Sequence, residues 1–222
     1  NGLYRVIRFI GRGAAGEVYE VEHLSLGVRR ALKLLSPQKR TSVSIEQIKS
    51  TFPQEILNTL SLAHTNIIKL LDYGVYSATG KPGKPFYVAE LAKPDLKEAI
   101  KRVNDCSTLL NIIDQLLEAL HYIHEREMLH GDIKPSNILY VHPLGTEDIE
   151  VKIADLGVSK IMRRRDHIDV SATSGMTYVY GSVSYAAPEI LEHLNNGDKV
   201  SEDWLKERRR VIDLYAFGVS LA

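Results

Sequence analysis

A cluster of three glycines near the amino terminus has the spacing of a phosphate-binding loop. Gly11, Gly13 and Gly16 form a G-x-G-x-x-G pattern, and glycines let backbone N–H groups lie directly over phosphate oxygens. In dinucleotide-binding domains the same pattern opens a helix, and an acidic residue follows about 20 positions later. Here residues 17–22 alternate polar and apolar like a strand, and no carboxylate lies near that later position. The pattern therefore favours a phosphate-covering hairpin over a dinucleotide site, with an ordinary β-turn as the alternative.

A second segment with chemical potential runs from His130 to Asn137 and reads H-G-D-I-K-P-S-N. On their own, Asp132 and Asn137 would be interpreted as turn residues that bond their own backbone. Together with the loop G-x-G-x-x-G-x-V, the segment resembles the H-R-D-L-K-P-x-N loop of eukaryotic-type protein kinases of the serine/threonine type. The resemblance implies that Asp132 accepts or orients a substrate hydroxyl and that Asn137 helps to hold a metal ion. It also implies that Lys134 places positive charge near the transferred phosphate.

Three further residues match kinase positions that hold Mg-ATP. Asp155, in the sequence D-L-G, is similar to the D-F-G aspartate and is expected to bind Mg²⁺. Lys33, in A-L-K, matches the catalytic strand lysine that contacts the phosphates. Glu55 matches its carboxylate partner on a helix, with Glu46 as the alternative. Without the resemblance, Lys33 would be interpreted as a surface lysine and D-L-G as a turn.

The resemblance also implies a nucleotide pocket. Adenine would be enclosed by apolar side chains, its edge would meet backbone groups at a hinge, and the ribose would meet a carboxylate. The residues expected to bind the nucleotide are Gly11, Gly13, Gly16, Val18, Ala31, Lys33, Glu55, Glu90, Ala92, Asp95, Leu139 and Asp155. Ala89 occupies the position that limits the depth of this pocket, and its small side chain predicts room for bulky purine analogues.

Gly131 departs from the kinase pattern. Many kinases have at this position an arginine that reads a phosphorylated activation segment, so we expect activity that depends less on such phosphorylation. The segment closes at Ala187-Pro188-Glu189, and Asp213 resembles the buried helix aspartate that anchors the catalytic loop. The interval between Glu189 and Asp213 is longer than is usual in the family. Residues 195–210 are therefore interpreted as an inserted surface loop, with a docking element for a regulatory protein as the alternative.

Hydrophobic periodicity predicts the elements that must position these residues. Strands are predicted at 17–22, 30–35 and 86–91, with a helix within 52–62 between the second and the third. An apolar stripe predicts a wide-faced core helix capped by Ser107 or Thr108. The stripe consists of Leu109, Ile112, Ile113, Leu116, Leu117, Leu120 and Ile123. Short strands are predicted at 138–141 and 151–154.

The predicted fold class is α+β with a protein-kinase-like bilobal fold. Residues 1–90 are expected to form a small antiparallel β-sheet lobe with one helix that binds ATP, and residues 91–222 a larger, mostly helical catalytic lobe. A hinge is expected near residues 90–94. Because kinases continue with further helices, we expect the final helices of this lobe to be missing.

Composition limits the partners and the compartment. The 222 residues include 28 basic and 28 acidic side chains, which gives no reason to expect nucleic acid or an anionic membrane as a partner. The single cysteine, Cys106, cannot form an internal disulfide, and no apolar stretch approaches the roughly 20 residues of a membrane span. We therefore expect a cytoplasmic or nuclear protein.

These expectations combine into one functional hypothesis and one alternative. The hypothesis is a serine/threonine protein kinase that uses ATP and Mg²⁺ and transfers the γ-phosphate to Ser/Thr hydroxyls of protein substrates. The alternative is a pseudokinase or scaffold that binds nucleotide or partners without phosphotransfer. Pseudokinases commonly lack the equivalents of Lys33, Asp132 or Asp155, so the presence of all three favours catalysis.

Overall fold

The computed structural model describes residues 2–13, 16–35, 56, 59–77, 83–93, 105–142, 148–156, 183–196 and 202–221. Within these ranges the chain divides into two compact units. The first holds the described residues up to 63 together with 68–91, and the second holds 64–67, 92–156 and 183–221. Residues His64–Ile67 therefore group with the second unit although they lie inside the predicted 1–90 lobe. The division of the lobes at residue 90 otherwise stays a prediction.

The first unit is built on a five-stranded antiparallel sheet with the order β1-β2-β3-β5-β4. The strands are β1 Tyr4–Gly13, β2 Gly16–His23, β3 Val28–Leu35, β4 Leu70–Tyr76 and β5 Lys84–Ala89. The three predicted strands correspond to β2, β3 and β5, although β5 ends at Ala89 rather than at Leu91. Ile56, Thr59 and Leu60 are helical, within the range predicted for the helix of this lobe.

Two strands of this sheet were not predicted. In β1 the register against β2 shifts between Val6 and Arg8 and again between Phe9 and Gly11. Each shift inserts an extra residue and breaks the period-two alternation that marks a strand in sequence. In β4 a similar shift separates Leu70 from Asp72. Bulges therefore conceal both edge strands from a search for alternation.

The register of the sheet brings the predicted nucleotide-binding residues of the first unit onto one face. Val18 of β2 lies directly opposite Lys33 of β3, and Ala31 of β3 lies directly opposite Ala89 of β5. Residues that are directly opposite, or two apart on one strand, point to the same side of a sheet. Val18, Ala31, Lys33 and Ala89 therefore share a face.

The second unit is mostly helical. It contains α1 Cys106–Glu125, a short 3₁₀ turn Pro135–Asn137, the hairpin of β6 Ile138–Val141 and β7 Glu150–Ile153, α2 Pro188–Asn196 and α3 Glu202–Leu221. The predictions of α1 and of the two short strands are confirmed. Among the described helices, none combines the length and the apolar character that would be needed to span a bilayer.

The ends of α1 are set by specific hydrogen bonds. Its N-cap is Asp105, whose side chain accepts a hydrogen bond from the backbone N of Thr108 at 2.8 Å, so the prediction of Ser107 or Thr108 as the cap is wrong. A carboxylate at the N-cap satisfies an otherwise unpaired N–H of the first turn. At the other end, Met128 N donates to Ile123 O and Glu127 N donates to His124 O, which is the Schellman pattern. Glu127 adopts φ 56°, a left-handed conformation that usually belongs to glycine.

The buried face of α1 is narrower than predicted. Ile112, Leu116, Leu120 and Ile123 are at most 1% exposed, whereas Leu109 and Leu117 are 37% and 38% exposed. The buried positions recur every three or four residues, as expected for one stripe of a helix that packs on β7. The helix is a core element, but part of its predicted apolar face lies at the surface.

The prediction that residues 195–210 form an inserted surface loop is wrong for residues 202–210, which are the first half of α3. Leu205 is buried with Ile190 of α2 and Ile212 of α3, and Trp204 packs against this cluster. Packing of both helices into one apolar cluster makes the start of α3 part of the core of this unit.

Candidate active site

The His130–Asn137 loop is held by Asp213 of α3. The carboxylate of Asp213 has no exposed surface, and it accepts hydrogen bonds from the backbone N of His130 at 2.9 Å and of Gly131 at 2.7 Å. Gly131 makes this contact at φ 71°, in the left-handed region. The prediction that Asp213 anchors this loop is confirmed.

The buried imidazole of His130 links the loop to the strand that precedes Asp155. Its Nδ1 accepts a hydrogen bond from the backbone N of Asp132 at 3.2 Å, so Nε2 carries the proton and donates to Ala154 O at 3.0 Å. The ring has no exposed surface. His130 therefore fixes the position of Asp132 relative to the end of β7.

Asp132 lies at the centre of a small network of charged and amide groups. Its carboxylate is 6% exposed, and its Oδ2 accepts a hydrogen bond from Lys134 Nζ at 2.9 Å. The side-chain amide of Asn137 donates to Asp132 O at 2.8 Å and to Asp132 Oδ2 at 3.3 Å. This network holds the Asp132 carboxylate in one orientation beside a positive charge.

Asn137 and Asp155, the two predicted metal ligands, lie on adjoining segments. The backbone N of Ala154 donates to Asn137 O at 2.8 Å, and Asp155 follows directly with φ 64°. Asn137 is buried, and Asp155 is half-buried. A carboxylate and an amide side chain supply the oxygen ligands that Mg²⁺ prefers, so the donor set fits the ion that the resemblance implies.

Lys33 is a buried lysine of β3 in the first unit. Its side chain lies on the face shared with Val18 and Ala31, it is 8% exposed, and its ammonium group lies 6.0 Å from the centre of the Tyr87 ring. An ammonium group near an aromatic face gains part of the stabilisation that it loses on burial. Glu55, its predicted partner, lies outside the described residues.

The glycine pattern occupies the β1–β2 hairpin, where Gly13 pairs with Gly16. A Cβ on Gly16 would lie 2.2 Å from the carbonyl oxygen of Leu34, and Gly16 adopts φ 147°, so no other residue fits there. A Cβ on Gly11 or Gly13 would meet open space. The prediction that these glycines lie in a hairpin rather than at the start of a helix is confirmed.

Glu17, directly after the last of these glycines, has a lowered pKa. The Tyr19 hydroxyl donates a hydrogen bond to its carboxylate at 2.6 Å, and Arg12 of the facing strand forms a salt bridge with the same carboxylate. The Tyr19 bond is the larger cause of the lowered pKa, and the Arg12 bond comes second. The Glu17 carboxylate therefore stays charged at neutral pH, and its salt bridge with Arg12 links the two strands of the hairpin.

Comparisons with known proteins identify the same family that the motifs of the site resemble. The family model of the protein kinase domain matches residues 4–222. The chain belongs to the protein kinase family. The antiparallel sheet of the first unit and the mostly helical second unit confirm the predicted kinase-like fold class.

Several curated relatives of this kinase domain are bacterial serine/threonine-protein kinases. The chain is 32% identical over 222 residues to the serine/threonine-protein kinase pkn3 of Myxococcus xanthus, covering 98% of the chain and 36% of that protein. It is 32% identical over 192 residues to PknA of Mycobacterium tuberculosis, covering 85% and 41%, and 31% identical over 189 residues to PknF of the same species, covering 85% and 38%. The chain thus spans about two fifths of the length of these relatives.

The remaining predicted ligands of the kinase domain divide into three groups. Leu139 is half-buried on β6, and Ala92 is half-buried just before Lys93 pairs with Tyr140. The N–H of Glu90 donates to Lys69 O at 3.0 Å, so this N–H is engaged within the first unit. Asp95 lies outside the described residues.

Sequence reasoning missed a polar cluster that holds β7, the strand leading to Asp155. Gln115 of α1 accepts hydrogen bonds from Asn66 Nδ2 at 2.8 Å and from Val151 N at 2.9 Å. Lys152 Nζ, in a side chain that is 8% exposed, donates to Thr65 O at 2.6 Å and pairs with Glu150. The signal in the sequence was a glutamine between two buried positions of an apolar helix.

Proposed function

We propose that this chain is the catalytic domain of a serine/threonine protein kinase that transfers the γ-phosphate of ATP to Ser/Thr hydroxyls of protein substrates. The observation that carries the proposal is the pair of Lys134 Nζ and Asp132 Oδ2 at 2.9 Å, in which the carboxylate is buried and the lysine is partly buried. A carboxylate fixed beside a lysine meets both needs of transfer to an alcohol, a proton acceptor and a positive charge near the phosphate. The relatives named as serine/threonine-protein kinases support the same class.

Each residue then has a defined role. Asp132 orients the substrate hydroxyl and accepts its proton, and Lys134 stabilises negative charge on the transferred group. When bound, ATP would supply the phosphoryl group and Mg²⁺ would neutralise part of its charge. Asn137 and Asp155 would hold the metal ion, and Lys33 would contact the phosphates.

The nucleotide is assigned to the remaining predicted residues. Gly11, Gly13 and Gly16 would hold the phosphates with their backbone N–H groups. Val18 and Ala31 would supply apolar surface for the base, while Leu139, Glu90, Ala92, Asp95 and Glu55 stay predictions from the resemblance. The shared face of Val18, Ala31 and Lys33 supports this assignment.

The test is transfer of labelled γ-phosphate from Mg-ATP to generic protein substrates by the full-length protein. We expect phosphoserine or phosphothreonine that disappears in Asp132→Asn and persists in Asp114→Asn, a matched change at an exposed site of α1. Absence of transfer, combined with a rise in Tm on addition of Mg-ATP, would favour the nucleotide-binding pseudokinase. Absence of both effects would overturn the proposal.

A regulatory partner at residues 195–210 is a secondary proposal. Arg209 Nε donates to His124 O at 3.2 Å, and Arg210 pairs with Glu125 at 2.6 Å. Both arginines are therefore engaged with α1, and a partner would use the exposed side chains that precede them. The test is charge reversal at the exposed Glu207 with Arg209 left intact, which should abolish binding of the regulatory partner.

A further inference from the structure

A row of side chains lies on the outer face of the glycine hairpin, away from the face assigned to the nucleotide. Val18 points to the nucleotide face, and successive residues of a strand alternate between faces, so Glu17 and Tyr19 point to the outer face. On β1, Phe9 lies directly opposite Tyr19 and Arg12 lies directly opposite Glu17. The outer face therefore carries two cross-strand pairs of side chains.

A bulge in β1 brings Arg12 to this face. Phe9 and Arg12 are three positions apart, and residues of a regular strand with that spacing point to opposite faces. The register shift between Phe9 and Gly11 inserts one extra residue, so Arg12 points to the same side as Phe9. The irregularity of β1 thus places a guanidinium group opposite the Glu17 carboxylate.

The four side chains form a continuous series of contacts. The ring of Phe9 meets the ring of Tyr19 edge-on, with 5.5 Å between the ring centres. The Tyr19 hydroxyl donates to Glu17 Oε2 at 2.6 Å, and Arg12 Nη2 donates to Glu17 Oε1. Each oxygen of Glu17 therefore has its own donor. The hydrogen bond to Glu17 raises the pKa of Tyr19, so the hydroxyl remains a donor at neutral pH.

Glycines leave the end of the hairpin with little side-chain pairing between its strands. The three described pairs that close it are Gly11 with Val18, Arg12 with Glu17, and Gly13 with Gly16. A pair that contains glycine has no side-chain contact across the strands, and glycine loses more conformational freedom on folding than any other residue. Among these three described pairs, only Arg12 with Glu17 has a side chain on both strands.

We propose that Arg12, Glu17 and Tyr19 are positioning residues for the nucleotide, which connect the two strands of the glycine hairpin from its outer face and so preorganise its backbone N–H groups for the phosphates. The proposal rests on the proposed function. Because the three side chains lie on the outer face, they act through the backbone of the hairpin. Preorganisation lowers the cost of ordering the hairpin on binding, so the effect should be on nucleotide affinity and not on kcat.

The test is a cycle of charge reversals in the full-length protein. Arg12→Glu places two carboxylates opposite each other, Glu17→Arg places two guanidinium groups opposite each other, and the double exchange restores opposite charges. Tyr19→Phe removes the hydroxyl and retains the ring. The matched control is Arg5→Glu, which reverses one charge of the Arg5–Glu22 pair at the other end of the β1–β2 ladder.

The two single reversals distinguish positioning from simple attraction of the phosphates. Attraction alone predicts opposite effects, because Arg12→Glu adds negative charge near an anionic ligand and Glu17→Arg adds positive charge. Positioning predicts that both reversals weaken binding, since each one places like charges across the hairpin.

The readouts are the Kd for Mg-ADP by calorimetry and the KM for ATP with kcat from steady-state kinetics. We expect each reversal to raise Kd and KM about threefold to fivefold with kcat within about twofold, and the double exchange to return both within about twofold of the parent. Tyr19→Phe should raise them about twofold, and Arg5→Glu should match the parent.

Three results would overturn the proposal. They are tighter binding by Glu17→Arg, a double exchange no better than the single reversals, and an equal loss in the Arg5→Glu control. If a reversal prevents folding, Arg12→Gln and Glu17→Gln give the same decision. Each should raise Kd about twofold, and the double glutamine variant should show no further loss, because either change alone already removes the ion pair.

The binding measurement separates this proposal from the proposed function, because Mg-ADP binding needs no phosphotransfer. Rescue of binding in the double exchange supports the positioning role even if the parent transfers no phosphate, and then only the kinase proposal fails. Parental Kd values in all variants of an active parent would reject the positioning role alone. A parent that binds no Mg-ADP would overturn both proposals.

Discussion

Gly131 donates its backbone N–H to Asp213 Oδ1 at 2.7 Å while its φ angle is 71°. The hydrogen bond that anchors the loop is therefore made in a conformation that glycine adopts freely and that costs other residues about 1–2 kcal/mol. The residue that stands in place of the family's arginine is also the residue that suits this backbone.

Replacement of Gly131 should test that relation directly. We expect Gly131→Ala to lower the free energy of unfolding by about 1–2 kcal/mol, because a Cβ is disfavoured at this φ. Gly131→Asn should lose less, since asparagine tolerates the left-handed region better. Urea unfolding of the three proteins measures the difference, and an alanine variant as stable as the parent would contradict the argument.

The glycine hairpin offers a matched pair of substitutions. Gly16→Ala should disrupt the β1–β2 hairpin and reduce nucleotide binding, because its Cβ would lie 2.2 Å from Leu34 O. Gly11→Ala should leave stability unchanged within about 0.5 kcal/mol, since its Cβ meets open space. Thermal melts with and without Mg-ATP distinguish the two, and equal effects at both positions would disprove the steric explanation.

The C-terminus of α1 can be improved. Glu127 occupies the left-handed position of a Schellman motif at φ 56°, so Glu127→Gly should raise the free energy of unfolding by about 0.5–1 kcal/mol. Glu127→Ala keeps the strain and serves as the control, with little or no gain expected. Denaturant midpoints measured at a constant m-value give the answer. A loss of stability in the glycine variant would contradict the strain argument.

The N-cap of α1 should make stability depend on pH. Hydrogen bonds from the Ser107 side chain and then from Thr108 N hold the pKa of Asp105 at about 2, below its usual value. A lowered folded-state pKa means that the cap stabilises above about pH 4 and is lost as the pH falls through about 2. The stability difference between the parent and Asp105→Ala should therefore shrink over that range. Asp105→Asn, which accepts the same bonds without charge, should keep its advantage over alanine, and a constant parent–alanine difference would refute the account.

The alanine at position 89 predicts a pharmacological property. Ala31 and Ala89 lie directly opposite each other on the face with Lys33, so two methyl groups border this part of the face. Purine analogues with bulky substituents should inhibit phosphotransfer by the parent. Their inhibitory potency should be about tenfold or more lower against Ala89→Phe. The KM for ATP, measured in both proteins, controls for damage to the site. Equal inhibition of the two proteins would count against the prediction.

Local patterns predicted the elements whose periodicity is regular. β2 followed from alternation and α1 from its apolar stripe, since in both cases burial of one face dictates the spacing, and β3 and β5 followed from short strand-like runs. The β1 and β4 strands escaped because bulges shift their register. Leu117 was expected in the core but is 38% exposed, because hydrophobic type alone does not reveal which flank of a stripe meets a neighbour.

The site was predictable where a residue acts within a short motif. The contact of Asp132 with Lys134 spans two positions, and its contact with Asn137 spans five. The contact between His124 and Asp213 joins residues 89 positions apart, and it depends on how α1 and α3 pack. No spacing in the sequence encodes that distance, so such contacts were visible only in the folded chain.

Asp213 accepts its hydrogen bonds from main-chain N–H groups, so the anchoring of the loop does not use the side chain at position 131. Because every residue except proline carries a backbone N–H, the anchoring hydrogen bond can form with other residues at position 131, although the positive φ favours glycine there. Regulation through an arginine at this position is thus independent of the anchoring of the loop. A kinase sequence can lack the arginine while the loop keeps its conformation. A motif search that requires the arginine would pass over domains built in this way.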